Sequence, residues 1–335
     1  MWRSLLLQSV LRTIGTLALF LSCAQVSSAQ LNPASTPIAD PSDTRFQQVN
    51  EDWTTPALST SNLRPVPPVV GYNNDYGTYT VELIQVQWRF GDPIDLYVMK
   101  PKKVNKPPVI LYLYGYPSDT ERFKDEGFQK KVTKDGFAAV GFVTALTGHR
   151  YHDRPMKEWF LSELQECLAT SAHDVQMVLN YLEQRGDLDM AHVGIYAQGS
   201  GASIGILTSA ADPRIKAFDA LDPWGDWPTW MKASPFVPEE ERADYLKPEF
   251  LNKVAALEPV NWLPKIQARH FRLEDATFDV KTPPSCKQKL RAAVPPHSTV
   301  VVYKTIQDFN ALVHKGRELA WIESALRTSS EKSKQ

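Results

Sequence analysis

Continuous apolar runs alternate with amphipathic stretches through most of the chain. Residues 108–114, 137–144, 193–197 and 215–221 are apolar at successive positions, which is typical of strands buried on both faces. Between them apolar residues recur at helical spacing, most clearly over 159–185. The alternation predicts an α/β fold: a doubly wound, mostly parallel sheet with helices on both faces.

The sheet is predicted to extend beyond these central strands. Residues 78–90 and 94–100 flank a Gly-Asp-Pro turn, which predicts an antiparallel pair. The other predicted elements are helices at 123–135, 203–211, 284–293 and 313–327 and strands at 266–273 and 299–303.

The ends of the chain differ in composition from this centre. Residues 1–29 hold two arginines, an apolar run and a small-residue end, which predicts a signal peptide and a secreted or periplasmic protein. The apolar run is shorter than the roughly 20 residues of a membrane span, and Cys23 leaves lipidation open. The other predicted regions are an extended leader at 30–70, a folded domain at 71–329 with a tryptophan-rich cap at about 222–262, and a polar tail at 330–335.

Composition narrows the possible partners. The 335 residues are 43% hydrophobic and 22% charged, with a formal net charge of −1, so nucleic acid is not an expected partner. The sequence lacks a GxGxxG or Walker loop, and no cofactor is predicted. Cys167 and Cys286 remain after signal cleavage, and spacing alone leaves open whether they pair or stay as buried thiols.

The segment at 192–203 joins a predicted strand to a predicted helix through small residues, and it reads His-Val-Gly-Ile-Tyr-Ala-Gln-Gly-Ser-Gly-Ala-Ser. A strand and a helix meet at a strained angle when small residues lie two before and two after a nucleophile. The register that fits this pattern best places Gly199 at the tip between Ala197 and Gly201. In that register the elbow has no nucleophile.

Two other registers supply a serine. Ser200 becomes the nucleophile if a one-residue bulge accommodates Gln198 at the tight position before it. Ser203 matches a formal G-x-S-x-G, but the strand would then run through residues without apolar side chains, and we predict that Ser203 lies one turn into the helix. A third possibility is that Gly199, Ser200 and Gly201 only form a close-packed turn.

Over about residues 78–328 the chain resembles the α/β-hydrolase superfamily, most closely its secreted esterase and prolyl-oligopeptidase-like branch. The resemblance implies an oxyanion loop after the strand at 108–114, where Gly115 and Tyr116 stand in a Tyr-Gly-Tyr-Pro sequence. Ser200 would supply a further oxyanion donor. Packing aromatics in an ordinary turn are the alternative for this loop.

The resemblance also implies positions for the other two members of a catalytic triad. Asp279 matches the family's acid, with Asp275 as a second choice and a helix-capping carboxylate as the alternative. The position of the general base is held by Asp308, and a carboxylate with a pKa near 4 is a poor base for a serine at neutral pH. His314 could replace it only if its loop folds back toward the site; otherwise it is a structural histidine.

Further side chains are candidates for a pocket. His149, with His152 and Asp153, follows a predicted strand end, where open α/β sheets bind ligands. No second set of ligand-type residues accompanies them, so we predict a hydrogen-bonded loop and no metal site. Trp224 and Trp227 either line an apolar pocket or pin the cap to the body.

Together these residues lead to two hypotheses about function. The first is a hydrolase-like protein, catalytically impaired or inactive, that keeps a pocket for a small ester or peptide-like ligand. The second is a serine hydrolase of the carboxylesterase or peptidase type, with Ser200 as a displaced nucleophile, Asp279 as acid and His314 as base. The oligomeric state is not predicted.

Overall fold

The computed structural model describes residues 51–58, 67–89, 91–115, 121–147 and 160–332. The predicted signal peptide, most of the predicted leader, residues 333–335 and four candidate site residues, Tyr116, His149, His152 and Asp153, lie outside these ranges.

Within the described residues, nine strands form one sheet in the order β1-β2-β3-β5-β4-β6-β7-β8-β9. The first three strands and the β3–β5 pair are antiparallel, and the remaining neighbours are parallel. The predicted doubly wound, mostly parallel sheet is confirmed. The strands are β1 (Val69–Asp75), β2 (Tyr79–Arg89), β3 (Asp92–Pro101), β4 (Pro108–Leu113), β5 (Ala138–Phe142), β6 (Asp189–Gln198), β7 (Ile215–Leu221), β8 (His270–Ala276) and β9 (Thr299–Tyr303).

In the described part of the chain, helices cover both faces of the sheet. They are α1 (Glu121–Lys124), α2 (Glu126–Thr133), α3 (Leu164–Arg185), α4 (Ser200–Ala211), α5 (Trp227–Ala233), α6 (Arg242–Tyr245), α7 (Pro248–Ala255), α8 (Pro259–Trp262), α9 (Pro284–Ala292), α10 (Ile306–His314) and α11 (Ala320–Lys332). The short helices α5 to α8 follow β7 and occupy the region predicted as a cap.

The sheet separates two buried clusters. One holds the inner faces of α3 and α4 together with the cap residues, and it contains the three buried tryptophans Trp224, Trp227 and Trp230. The other lies under α2 and α11 and is rich in tyrosine. Cys167 lies in the first cluster with Cys286, and the two do not form a disulfide.

Several elements differ from the prediction, among them the single helix predicted at 123–135, which is two helices, α1 and α2. Strand β1 was not predicted, because its residues are exposed and carry no apolar period. The strand predicted at 266–273 begins later, at His270. The single helix predicted at 313–327 is wrong at its start: α10 ends at His314, Gly316 has a φ of 61°, and α11 begins at Ala320. A glycine in the left-handed region ends a helix without steric cost.

Residues 51–58 attach to α3 through a buried ionic network. Glu51 accepts hydrogen bonds from Arg89 and contacts His173 Nδ1 at 2.7 Å, while Arg89 Nη1 lies 2.5 Å from Asp174 Oδ1. Gln176 adds a hydrogen bond from Nε2 to the carbonyl of Pro56, at 2.6 Å. Charges this well paired hold the segment on the helix.

We expect Glu51→Gln to destabilise the protein by roughly 2 kcal/mol at neutral pH, because it removes the carboxylate charge that pairs with Arg89 and His173, while Arg89 keeps its contact with Asp174. Burial raises the pKa of Glu51, but the hydrogen bonds from Arg89 and His173 outweigh it and lower the pKa from 4.5 to about 2. The wild-type advantage is therefore present above pH 4.5 and disappears as the pH falls toward 2. Urea unfolding at several pH values measures it, and Asp52→Asn, at an exposed position, is the matched control that should not change stability.

Candidate functional site

The turn between β6 and α4 has the backbone geometry of a nucleophile elbow. Gly199 alone separates the two elements, with φ 55° and ψ −125°. Residues other than glycine rarely adopt this backbone conformation. In the hydrolase elbow, the strained backbone presents the nucleophile above the sheet. Gly199 is thus the elbow tip, as the first register predicts.

Packing around the elbow explains the small residues beside the tip. A Cβ added at Gly201 would lie 2.2 Å from the carbonyl oxygen of Leu113, so the helix and β4 touch backbone to backbone. A Cβ added at Gly199 would meet nothing closer than Trp224 Nε1, at 3.4 Å. The tip therefore has room for a Cβ atom, but residue 199 is a glycine and carries none.

The two serines of the other registers lie off the tip. From Gly194 to Gln198, strand β6 pairs with β7 without a shift, so the bulge that would bring Ser200 to the tip is absent from this stretch. Ser200 is instead the first residue of α4 and is buried. Ser203 lies one turn further along, as predicted, and its Oγ donates to the carbonyl of Trp224 at 2.7 Å. Its role there is structural.

The loop after β4 approaches the elbow closely. A Cβ on Gly115 would lie 2.8 Å from the Gln198 carbonyl oxygen and 3.2 Å from the Ser200 nitrogen. The predicted oxyanion loop and the first residue of α4 therefore adjoin, as an oxyanion hole requires. Tyr116, the predicted phenol donor, lies outside the described residues.

The predicted acid, Asp279, lies in the loop after β8, and its carboxylate forms a hydrogen bond within that loop. The Oδ1 atom of Asp279 accepts the backbone N–H of Lys281 at 2.7 Å. The second choice, Asp275, is not in the loop at all: it is buried on β8 and pairs with Lys287 and Arg291. Asp275 belongs to a buried ionic cluster.

The position of the general base has become a helix N-terminus. Asp308 and Thr305 form a capping box: Asp308 Oδ2 accepts the Thr305 N–H at 3.0 Å, and Thr305 Oγ1 accepts the Asp308 N–H at 3.2 Å. Helix α10 follows directly, and His314 is its last residue and is exposed. Among the described residues, no hydrogen bond joins His314 to Asp279. The structure does not bring these two predicted triad members together.

The two tryptophans proposed as pocket walls are in the core. Trp224 and Trp227 are 2% and 1% exposed, and both rings pack on Trp230, with centroids 5.0 and 5.9 Å apart. The prediction of a pocket wall is corrected accordingly: the alternative, in which the tryptophans pin the cap to the body, describes the contacts. Buried aromatic pairs of this kind stabilise a packed insertion.

Sequence reasoning missed Asp222, which directly follows β7 beside the elbow. Its Oδ1 atom accepts the Ala276 N–H at 2.9 Å and lies 3.0 Å from Lys287 Nζ. Burial raises the pKa of Asp222 to about 6 despite the nearby Lys287 ammonium. The available signal was a carboxylate at the carboxyl end of a buried strand, the edge where such sheets bind ligands.

A second buried network lies across β7, β8 and β9. Arg272 lies 2.6 Å from Asp219 Oδ2 and 3.0 Å from Glu274 Oε1, and the hydroxyl of Tyr303 donates to Glu274. Burial, together with the Asp219 charge, raises the pKa of Glu274 to about 8. The folded protein therefore keeps a proton on Glu274 at neutral pH.

We expect this proton to make stability depend on pH. The folded-state pKa is raised above the ordinary 4.5, so the stabilisation is complete below pH 4.5 and is lost as the pH rises through 8. The midpoint of thermal unfolding should fall by several degrees between pH 5 and pH 8. Glu274→Gln, which keeps a neutral side chain at every pH, should flatten this decline, whereas Glu249→Gln at an exposed position should leave the slope as in wild type.

Comparison with known proteins relates this geometry to a fold. No protein-family model matches the sequence, and no curated protein matches it in sequence. In structure it is similar to an acetyl xylan esterase from a Paenibacillus species, at 13% identity and a TM-score of 0.59, covering 84% of this chain and 97% of that one. It is also similar to an acetyl xylan esterase from a Thermoanaerobacterium species, at 15% identity and a TM-score of 0.60, covering 75% of this chain and 88% of that one. An acylaminoacyl peptidase from Pyrococcus horikoshii is similar at 12% identity and a TM-score of 0.53, covering 79% of this chain and 50% of that one.

The chain has the α/β-hydrolase fold, which these esterases and peptidases share. Among the residues that the structure describes, none of the helices combines the length and apolar content that crossing a bilayer requires. The same residues contain no group of three or more His, Cys, Asp or Glu side chains placed to hold a metal ion.

Proposed function

We propose that this protein is a hydrolase-like protein that has lost serine-hydrolase chemistry and binds a small ester or peptide-like ligand at the carboxyl edge of its sheet. The observation that carries the proposal is Gly199 at the elbow tip. The tip has the strained backbone of a nucleophile position and space for a Cβ atom, yet it carries no hydroxyl, thiol or carboxylate.

The position of the base supports the same reading. A serine hydrolase needs a group that takes the nucleophile's proton, and that group must be held in hydrogen-bond reach of it. Asp308 uses its carboxylate to cap α10, and His314 is exposed at the far end of that helix. The residue types at the nucleophile position and at the base position therefore both differ from those of a catalytic triad, and the two positions lie in separate loops.

The retained features favour ligand binding. The predicted oxyanion loop adjoins the elbow at Gly115, and Asp222 at the end of β7 pairs with Lys287 of α9. Polar groups at the carboxyl edge of the sheet can bind a ligand without a nucleophile.

Hydrolysis assays test the proposal. We expect wild type and Ser200→Ala to hydrolyse p-nitrophenyl acetate and a peptide p-nitroanilide no faster than buffer does. Wild-type turnover that Ser200→Ala abolishes would establish the alternative, a serine hydrolase using Ser200. An active esterase assayed in parallel confirms that the substrates are competent.

We also propose that the protein is exported, on the composition of residues 1–29. Expression of the full chain in a bacterium and fractionation test this. Mature protein in the periplasm or medium that begins at Gln30 supports export, whereas full-length protein confined to the cytoplasm contradicts it.

A further inference from the structure

A cavity of about 330 Å³ lies beside the elbow, at the carboxyl ends of β4 and β6. It opens on the face of the sheet under α2 and α11. Tyr112 and Tyr196 are paired across the two strands and both line it, as does Gln198, the residue before the elbow tip. The cavity is within the size range of about 300–1,000 Å³ found for small-molecule sites.

Aromatic rings form its walls. The ring of Tyr112 lies 5.5 Å from that of Phe128, edge to face, and 5.8 Å from that of Tyr196. Tyr114 adds a fourth ring, with the guanidinium of Arg122 over it at 4.3 Å. Such rings present flat apolar faces on which the C–H surface of a ligand can pack.

Two buried polar atoms of the lining residues have no hydrogen-bond partner among the residues that the structure describes. They are the hydroxyl of Tyr112, a residue only 1% exposed, and the Oε2 atom of Glu318. The other carboxylate oxygen of Glu318 pairs with Lys131. A buried polar atom without a partner is costly, and in native structures it points to an absent water or ligand.

The protonation states define what these atoms require. Burial raises the pKa of Tyr112 well above its ordinary value, so its hydroxyl keeps its proton and can donate. The Oε2 atom of Glu318 can only accept when the carboxylate is ionised. The ligand must therefore offer an acceptor to Tyr112 and a donor to Glu318, and a hydroxyl group can serve in either role.

The charges around the cavity balance. Lys131 and Arg122 contribute two positive charges to the lining, and Glu318 and Asp125 contribute two negative ones. The cavity therefore favours neither an anion nor a cation. A neutral ring with several hydroxyl groups matches this cavity: its C–H surface can pack on the aromatic faces, its hydroxyls can bond to the donor and the acceptor, and it carries no charge.

We propose that this tyrosine-lined cavity binds a neutral, hydroxyl-bearing ligand of one or two sugar-like rings, held by Tyr112 and Glu318. The inference goes beyond the proposed function, because a sugar-like ring is neither an ester nor a peptide. Gln198, whose Nε2 donates to the Tyr196 hydroxyl at 3.0 Å, links the cavity to the elbow tip.

Titration calorimetry on the full chain tests the ligand class. The probes are cellobiose and methyl β-D-glucopyranoside as neutral ligands, benzoate as an anion and tetramethylammonium as a cation. We expect heat of binding with at least one neutral probe and none with the two ions. Binding of benzoate or tetramethylammonium in preference to both sugars, or binding of no probe, would overturn the inference.

Three variants test the residues. Tyr112→Phe and Glu318→Gln should each weaken the sugar about tenfold, the equivalent of one lost hydrogen bond. Tyr112→Phe should also unfold at the same temperature as wild type or higher, because it removes an unpartnered buried hydroxyl. Tyr245→Phe, which changes a buried tyrosine of the cap, should bind as wild type does. Unchanged affinity in both cavity variants would refute the assignment.

The two proposals fail by different results. Sugar binding together with ester turnover that depends on Ser200 would refute the loss of hydrolase chemistry and leave the cavity assignment in place. Absence of both sugar binding and turnover would refute the cavity assignment alone.

Discussion

Gly201→Ala is expected to destabilise the protein by about 3 kcal/mol or more, although alanine is the better helix former by about 1 kcal/mol. The reason is steric: the new Cβ would lie 2.2 Å from the carbonyl oxygen of Leu113, a backbone atom that cannot turn away. To relieve the clash, α4 would have to move off β4, and the elbow would open. Urea unfolding followed by circular dichroism measures the change.

Gly186→Ala is the matched control for this substitution. Gly186 ends α3 with a φ of 72°, and an added Cβ would meet nothing within 4 Å. Its cost should be only about 1 kcal/mol, from the left-handed conformation alone. If Gly201→Ala lowered stability no more than Gly186→Ala does, the close backbone contact between α4 and β4 at the elbow would be contradicted.

Arg272→Met is expected to cost roughly 3–5 kcal/mol at pH 7, because it leaves buried acids without their cation. Asp219 is completely buried, and Arg272 binds it through two nitrogens, at 2.8 and 2.6 Å, while also contacting Glu274. Methionine fills a similar volume, so the loss measures the charge and its hydrogen bonds rather than a cavity.

The pH dependence separates this explanation from simple loss of packing. Glu274 already holds a proton at neutral pH, and without Arg272 the buried Asp219 can relieve the cost by taking up a proton as well, so the loss of stability should be smaller at pH 5 than at pH 8. Lys102→Met, which breaks an exposed ion pair with Asp75, should stay near wild type at both values. A pH-independent loss in Arg272→Met would contradict the electrostatic account.

Much of the fold could be predicted because its signals are local. Strands β4 to β7 are apolar on both faces, and only a sheet covered on both sides buries such runs. The small residues around Gly199 likewise predict a tight strand-to-helix turn. Strand β1 escaped prediction because an exposed edge strand needs no apolar pattern.

The candidate site was harder to predict because residue types there serve other purposes. Asp308 aligned with the base position, yet Thr305-x-x-Asp308 is also a helix-capping sequence, and the structure uses it in that way. Trp224 and Trp227 indicated aromatic contacts but not whether these faced a ligand or the core. Only tertiary packing decides such questions.

The tyrosine-lined cavity shows the same limit. Tyr112 and Tyr114 are two positions apart along one predicted strand, which predicts that they share one face of the sheet, whereas Tyr196 lies on another strand and is paired with Tyr112 only in the structure. Glu318 joins them from the turn between α10 and α11, more than a hundred residues away in sequence. No spacing rule connects these positions, so the pairing of unpartnered atoms is visible only in the structure.

The most direct test of the central claim, an elbow without a nucleophile, is intact-protein mass spectrometry after treatment with a biotinylated fluorophosphonate. An active serine esterase in the same reaction shows that the probe is reactive. We expect no mass increase on the wild-type protein, since Gly199 at the tip has no hydroxyl to react. A stoichiometric adduct that maps to Ser200 and is lost in Ser200→Ala would contradict the claim.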